Sequence, residues 1–301
     1  MNYAFCGFIS FYETVEKVFN KARFPAFSCR KSKRLYSQFV HVFFHVLKEL
    51  YGLSYRELIA FAEEHHLERL FCIRRIPQFS TFQKFLKRVN KELLERMVRA
   101  CAKVLKIKKT IVAIDSTGFS LTNPSQYYSN RINAPRVRNF VKLSLAVDVK
   151  TKIILNCKAH ANNQHDNMDF HPLLKDLRKL VKSVLADKAY DSEENLRFVL
   201  KDLKASVQIP VRDYPNSRLK YGHKPIIGGK LRRKMHSTLD LDKYHQRSII
   251  EAINSSIKRT LGASVQARLP NTQENNAILK ALTYNIKKIK NKLYITIHIK
   301  T

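Results

Sequence analysis

Between residues 37 and 52 the chain reads SQFVHVFFHVLKELYG, with apolar positions on a helical period and a stop at Gly52. A glycine there suits the left-handed cap that ends many helices. SYRELIAFAEE follows, with Ser54 and Glu57 at capping-box spacing. A second box is expected after Pro77 in STFQKFLKRVNKELLERMVRA, from Ser80 and Gln83. Residues 1 to about 106 are therefore predicted to be helical. Two short helices, a turn and a third, basic helix suggest a helix-turn-helix-like module, although plain helical bundles share this pattern. If the module meets DNA, Lys84, Lys87 and Arg88 are its natural phosphate contacts.

The period changes near residue 108. TIVAIDSTGF is a β-branched apolar run predicted to end at Asp115, and FVKLSLAVDV and KIILNCKAHA read as a hairpin around a Lys-Thr turn. MDFHPLLKDLRKL is predicted helical, SVLADKAYDS a short buried strand ending at Asp187, EENLRFVLKDLK a helix and ASVQIPV a fifth strand. This β-β-β-α-β-α-β order, closed by further helices, describes an α/β fold, a mixed sheet flanked by helices. Residues 212–236 form a basic insert with a single acid, Asp213. Free, it reads as an irregular basic loop; on DNA it would order as a phosphate clamp, with Arg232, Arg233 and Lys234 at its end. NTQENNAILKALTYNIKKIKNKL reads as a last amphipathic basic helix.

Charge narrows the partners. Against 24 Asp+Glu stand 56 Lys+Arg, a formal net charge of +32 spread along all 301 residues. Such a surface attracts polyanions, nucleic acid first among them. A membrane partner lacks support: the N-terminus has no basic start before its apolar run, and FVHVFFHVL is too short to span a bilayer. Five cysteines without a C-x-x-C pair argue against a disulfide framework or zinc ribbon and fit a reducing cytoplasm, nucleoid-associated if DNA is the partner.

One segment, YHQRSIIEAINSSIK, carries the candidate chemistry. On a single helix, Tyr244, Arg247, Glu251 and Lys258 share a stripe spanning about 60°, beside a separate isoleucine face. Alone, the stripe reads as a solvated charged face. Asp115 and Asp187, 72 residues apart, change that reading, because strands one and four of such a sheet are potential neighbours. Glu251, 64 residues further on, is placed to face the pair. Three converging carboxylates repel one another unless cations neutralise them. Hard divalent ions such as Mg²⁺ do so, and a pair of them serves phosphoryl transfer. Other candidates are weaker. His160, His165 and Asp166 invite a zinc reading but offer only two imidazoles, and Asp166 is expected to cap the helix after it. Asp148 and Asp191 are spare carboxylates, Asp191 being expected to cap the helix at Glu193.

With these residues assembled, the sequence resembles prokaryotic insertion-sequence DDE transposases of the group with a Tyr-Arg-Glu-Lys signature. The match rests on AIDSTGF around the first acid, LADKAYDS around the second, and the spacing from Tyr244 to Lys258. GLSYRELIAFAEE and IPQFSTFQKFL resemble the helical region preceding the catalytic domain. The resemblance implies a ribonuclease-H-like catalytic domain over 107–301 and a helical DNA-binding region over 1–106. It implies Asp115, Asp187 and Glu251 as catalytic metal ligands, Mg²⁺ or Mn²⁺ with two ions, and Tyr244, Arg247 and Lys258 on transposon-end DNA. It further implies recognition of terminal inverted repeats, a homodimer on double-stranded DNA, and 3′-hydroxyl strand transfer. The short interval between second Asp and Glu does not carry a hairpin intermediate over. A structure-selective metal-dependent nuclease and an inactive DNA-binding derivative remain the alternatives.

Overall fold

The computed structural model describes residues 3–29, 31, 33–121, 140–162, 164–212 and 228–298. Arg218, Lys220 and Lys224 of the basic insert lie outside the described residues. The chain opens with α1 (Tyr3–Lys21), α2 (Gln38–Tyr51), α3 (Tyr55–Glu64), α4 (Phe79–Arg88) and α5 (Lys91–Val104). Gly52 ends α2 in the left-handed region at φ 68°, and its N–H bonds Lys48 O. The Ser54–Glu57 capping box forms in both directions at α3. The expected box at Ser80 does not form. Helix α4 starts earlier, with Gln78 at the cap position making no side-chain bond, so Ser80 already lies in the first turn.

The long basic helix expected from residue 80 also divides. Val89 takes extended angles (φ −63°, ψ 133°), and Asn90 caps α5 by accepting from Glu92 N at 2.8 Å. Asparagine offers its own oxygen to the backbone and so favours a cap over a helix interior. Asn275 of α11 donates to the carbonyls of Leu86 in α4 (3.0 Å) and of Val89 just past its end (3.2 Å).

The strands are β1 (Thr110–Leu121), β2 (Phe140–Asp148), β3 (Ile154–His160), β4 (Val181–Ala186), β5 (Ser206–Gln208) and β6 (Ser264–Val265). They form a six-stranded sheet in the order β3-β2-β1-β4-β5, with β6 also pairing β1. β2 is antiparallel to β1 and β3, while β4 runs parallel to β1 and β5. This is the mixed, ribonuclease-H-like sheet that the sequence implies. Strand β1 does not stop at Asp115. Its parallel edge with β4 ends at Ile114↔Ala186, but its antiparallel edge with β2 continues to Ser120↔Phe140. Asp148 pins the β2–β3 turn, accepting from Lys150 N at 3.1 Å and Thr151 N at 3.0 Å. Its place at the Val112 end of the register removes it as a substitute acid.

Both faces of the sheet are covered. On one side lie α6 (Asn167–Lys175) and α7 (Glu193–Arg197), where Phe170, Leu173, Leu196 and Val199 bury Val112 and Ile114. The intervening Ala113 points the other way, into a cluster shared with α1, α2, α4, α5 and two of the last helices. Of the last helices, α8 (Lys230–Thr238) puts Met235 into the opposite cluster and α9 (Leu241–His245) has no buried residue, while α10 (Ser248–Leu261) and α11 (Pro270–His298) supply the buried Ile253, Ile257, Ile278 and Leu282 here.

Helix α11 runs against α5, α2 and β3. Its Asn285 reads the β3 backbone, accepting from Ile154 N at 2.9 Å and donating to Ile154 O at 2.7 Å. Five residues earlier, buried Lys280 meets buried Glu49 of α2 at 3.0 Å. Among the described residues no helix is long and apolar enough to cross a membrane.

Candidate active site

The last parallel pair, Ile114↔Ala186, leaves Asp115 and Asp187 as the next residues of adjacent strands. Asp187 then turns the chain, accepting from Lys188 N at 2.5 Å and opening a 3₁₀ turn over Lys188–Tyr190. Across from them stands α10. The single helix expected over 244–258 is interrupted at Gln246 and Arg247, between α9 and α10, yet both residues keep right-handed helical angles. The stripe therefore survives the break. The Arg247 guanidinium lies 5.8 Å from the Tyr244 ring centre, and its Nη2 is 2.6 Å from Glu251 Oε1. Lys258, two turns on, sits 6.0 Å from the ring centre of Phe119 on β1.

Electrostatics connects these groups. Burial raises the Asp115 proton affinity; the Ser116 N–H and Arg247 oppose the rise, while Asp187 and Glu251 add to it. Arg247 holds its own proton more tightly than usual: burial opposes its charge, but Tyr244, Asp187, Glu251 and Asp115 outweigh that cost. The three acids thus share one electrostatic neighbourhood with Arg247 among them. Their hard carboxylate oxygens suit a divalent cation. Among the described residues, no three His, Cys, Asp or Glu side chains are grouped closely enough to hold a metal ion, and Glu251 is engaged by Arg247.

Sequence reading missed Asn254. One turn after Glu251 and only 8% exposed, it donates from Nδ2 to Asp115 Oδ2 at 3.2 Å. An asparagine on an amphipathic helix has no distinguishing signal without knowledge of what α10 faces. Also near is Ser116, whose Oγ donates to Asp166 Oδ1 at 2.7 Å. Asp166 makes no side-chain cap; it takes Lys142 Nζ at 2.7 Å as well. His160 is paired with Asp169 at 2.8 Å, which accounts for it without zinc. His165 lines a neighbouring cavity of about 400 Å³ with Ser116, Lys142 and Asp166.

The basic residues separate into two kinds. Lys84, Lys87 and Arg88 are exposed on α4, and Arg233 and Lys234 on α8. Arg232 differs: its Nη2 is 2.6 Å from Asp191 Oδ2, with side-chain exposures of 14% and 1%. Asp191 is consequently a structural anchor, and Ser192 caps α7 in its place by accepting from Asn195 N at 3.0 Å.

The family described as transposase DDE domain matches residues 106–286, more than half of the chain. The chain is also 25% identical over 212 residues to an uncharacterized protein of Aquifex aeolicus, covering 68% of this chain and 64% of that one. It thus spans just under two thirds of that relative's length. Among solved structures, a cryo-EM structure of a piggyBac transposase synaptic complex with hairpin DNA aligns at a TM-score of 0.44 and 12% identity, covering 95% of this chain and 76% of that chain.

Proposed function

Because the chain belongs to the transposase DDE domain family, we propose that it cleaves the ends of its own insertion sequence at terminal inverted repeats and joins the freed 3′-hydroxyls to target DNA. The observation carrying this reading is the register that leaves Asp115 and Asp187 side by side past Ile114↔Ala186, opposite the Arg247–Glu251 pair at 2.6 Å. Asp115 and Asp187, joined by Glu251 once its carboxylate leaves Arg247, are the residues that would hold divalent metal, Mg²⁺ or Mn²⁺, which would supply Lewis acidity for in-line displacement at phosphorus. Asn254 keeps Asp115 oriented. Arg247 lies among the acids and, with Tyr244 and Lys258, meets the end phosphates, so substrate charge enters a place already lined by cations. Residues 1–106 act as the DNA-binding region and the chain works as a homodimer on double-stranded DNA.

Supplying a pre-cut 3′-hydroxyl end, a target plasmid and Mg²⁺ is the direct test. Joined product is the expected result. Cleavage without joining would make the protein a nuclease; binding without either would make it an inactive derivative.

The paired state of Arg232 sharpens a second expectation. Arg233→Ala with Lys234→Ala should lower the salt slope of DNA binding by roughly 2, about 0.9 for each phosphate no longer neutralised. Measuring affinity from low to moderate salt checks this, and an unaltered slope makes α8 a bystander. Arg232→Ala should instead loosen the α7–α8 junction, since it strands the buried Asp191 carboxylate.

A further inference from the structure

The stretch of β1 that carries the first acid has the least support from the sheet. Its parallel edge with β4 ends at Ile114↔Ala186, and β6 joins that edge only at Ser120↔Ser264. Among the described residues, 115–119 are therefore paired on one edge alone, with β2. An open edge leaves backbone groups unpaired, whereas a metal ligand must be held in place by what surrounds it. Two side chains hold this stretch from opposite faces of the sheet. Asp115 faces α10, where Asn254 Nδ2 lies 3.2 Å from its Oδ2. Ser116, the next residue, faces the other way. Its N–H bonds the Asp115 carboxylate, and its Oγ donates to Asp166 Oδ1 at 2.7 Å. Asp166 is itself anchored. The same oxygen takes Lys142 Nζ at 2.7 Å, and the Lys142 side chain is only 5% exposed. Lys142 also donates to the Gln164 carbonyl at 2.8 Å and faces Asp169 at 3.7 Å. Burial would raise the Asp166 proton affinity, but Lys142, Ser116 and His165 bring it below the ordinary value, so the group is a carboxylate at neutral pH. It also breaks a local rule. Asp166 stands at the N-cap position of α6, yet it takes helical angles (φ −55°, ψ −39°) and makes no cap bond. An aspartate that caps contributes about 1 kcal/mol to its helix; this one turns to the sheet instead.

We propose that Asp166 is a positioning residue: through Ser116 it fixes the open stretch of β1 and so holds the Asp115 carboxylate where a divalent cation would bind. The inference rests on the reading of Asp115 as a metal ligand and adds a support on the opposite side of the sheet from Asn254. Lys142 serves the same end by keeping the Asp166 carboxylate charged and in place.

The experiment titrates Mn²⁺ into the whole chain and follows the free ion by electron paramagnetic resonance, with DNA affinity and the kcat and KM of end cleavage measured alongside. Asp166→Asn, Ser116→Ala and the double variant are compared with Asp115→Asn and with a control, Ser144→Ala. In Asp166→Asn, Lys142 keeps Gln164 and Asp169, so no charge is stranded. Ser144 lies opposite Ser116 in the register and donates to Asp169 at 2.5 Å; its loss weakens the same face without touching the Asp166–Ser116 bond. Asp166→Asn and Ser116→Ala are each expected to weaken Mn²⁺ binding about tenfold. The double variant should lie within about twofold of either single, because both break one path. Cleavage kcat falls with them, while KM and DNA affinity stay within about twofold of wild type. Ser144→Ala is expected to lower the melting temperature and leave Mn²⁺ affinity within about twofold. Unchanged Mn²⁺ affinity in the two single variants, losses that add in the double, or an equal loss in Ser144→Ala would each overturn the proposal. So would a fall in DNA affinity with Mn²⁺ binding intact, which would make Asp166 a DNA contact. Asp115→Asn that binds Mn²⁺ like wild type removes the cation site and the proposal with it. A chain that binds Mn²⁺ through Asp115 but joins no ends removes the strand-transfer reading alone.

Discussion

Asp115→Asn is expected to abolish metal-dependent cleavage and joining of end DNA, by roughly a thousandfold or more, about 4 kcal/mol in the barrier. Binding of the same DNA should be unchanged. The physical ground is that the substitution removes one charge and keeps shape and size. The remaining carbonyl oxygen can still accept from Asn254, whose Nδ2 lies 3.2 Å from Asp115 Oδ2. Stability should not fall with activity. The folded protein raises the Asp115 pKa through burial and the nearby Asp187 and Glu251, so its ionised form is disfavoured in the folded state. A neutral side chain there is expected to leave the melting temperature unchanged or higher at neutral pH. Activity equal to wild type removes the proposed site; activity lost together with a large drop in melting temperature makes Asp115 a structural residue. Glu251→Gln is expected to act in the same direction, with the added release of Arg247, now 2.6 Å from Glu251.

The second large effect concerns folding. Glu49→Ala is expected to cost about 3–5 kcal/mol, because it leaves Lys280 buried beside an empty place. Lys280 and Glu49 each have only 5% of the side chain exposed and meet at 3.0 Å. Asn276 Nδ2 donates to the same carboxylate at 2.8 Å, and Lys48 stands 3.3 Å away. The double substitution Glu49→Leu with Lys280→Met should recover most of the loss, since neither charge is then stranded. Urea denaturation reads both. The pH dependence has a definite sign. Burial alone would raise the Glu49 pKa, but Lys48, Lys280 and Asn276 together bring it below its ordinary value. The contribution is therefore complete above the unfolded pKa of about 4.3 and is lost as pH falls through the lower folded value. The gap between wild type and Glu49→Ala should narrow in that acid range and stay constant above it.

What the sequence displays is local. Gly52 and the Ser54–Glu57 box are written within four residues of the helix ends they make, and the Lys150–Thr151 turn within its own hairpin. The order of strands is legible too, because β-branched runs alternate with helical patterns. Differences arise where distant chain decides the outcome. SerThrGly after Asp115 reads as a loop, and only the antiparallel edge to Phe140 keeps it in β1. The break at Val89 has a local cap in Asn90, but the carbonyl it frees is met by an Asn275 side chain 186 residues away. Arg232 reads as one more surface cation because nothing near it in sequence announces Asp191. Asn254 and Glu49 are silent for the same reason: their meaning lies in their partners. The three acids stand out because carboxylates at strand ends and beside a charged stripe are unusual enough to be noticed before their neighbours are known.

Helix α11 is translated after every element it packs against. Until it leaves the ribosome, Phe43 and Leu47 of α2, Val98 of α5 and the β3 edge around Ile154, all buried in the finished protein, lack their final cover. Emerging chains are thus sticky for the interval between synthesis of α1 and of α11. Native packing waits for α11, and chains cut short before residue 270 would yield material for chaperones and proteases instead of partially active protein.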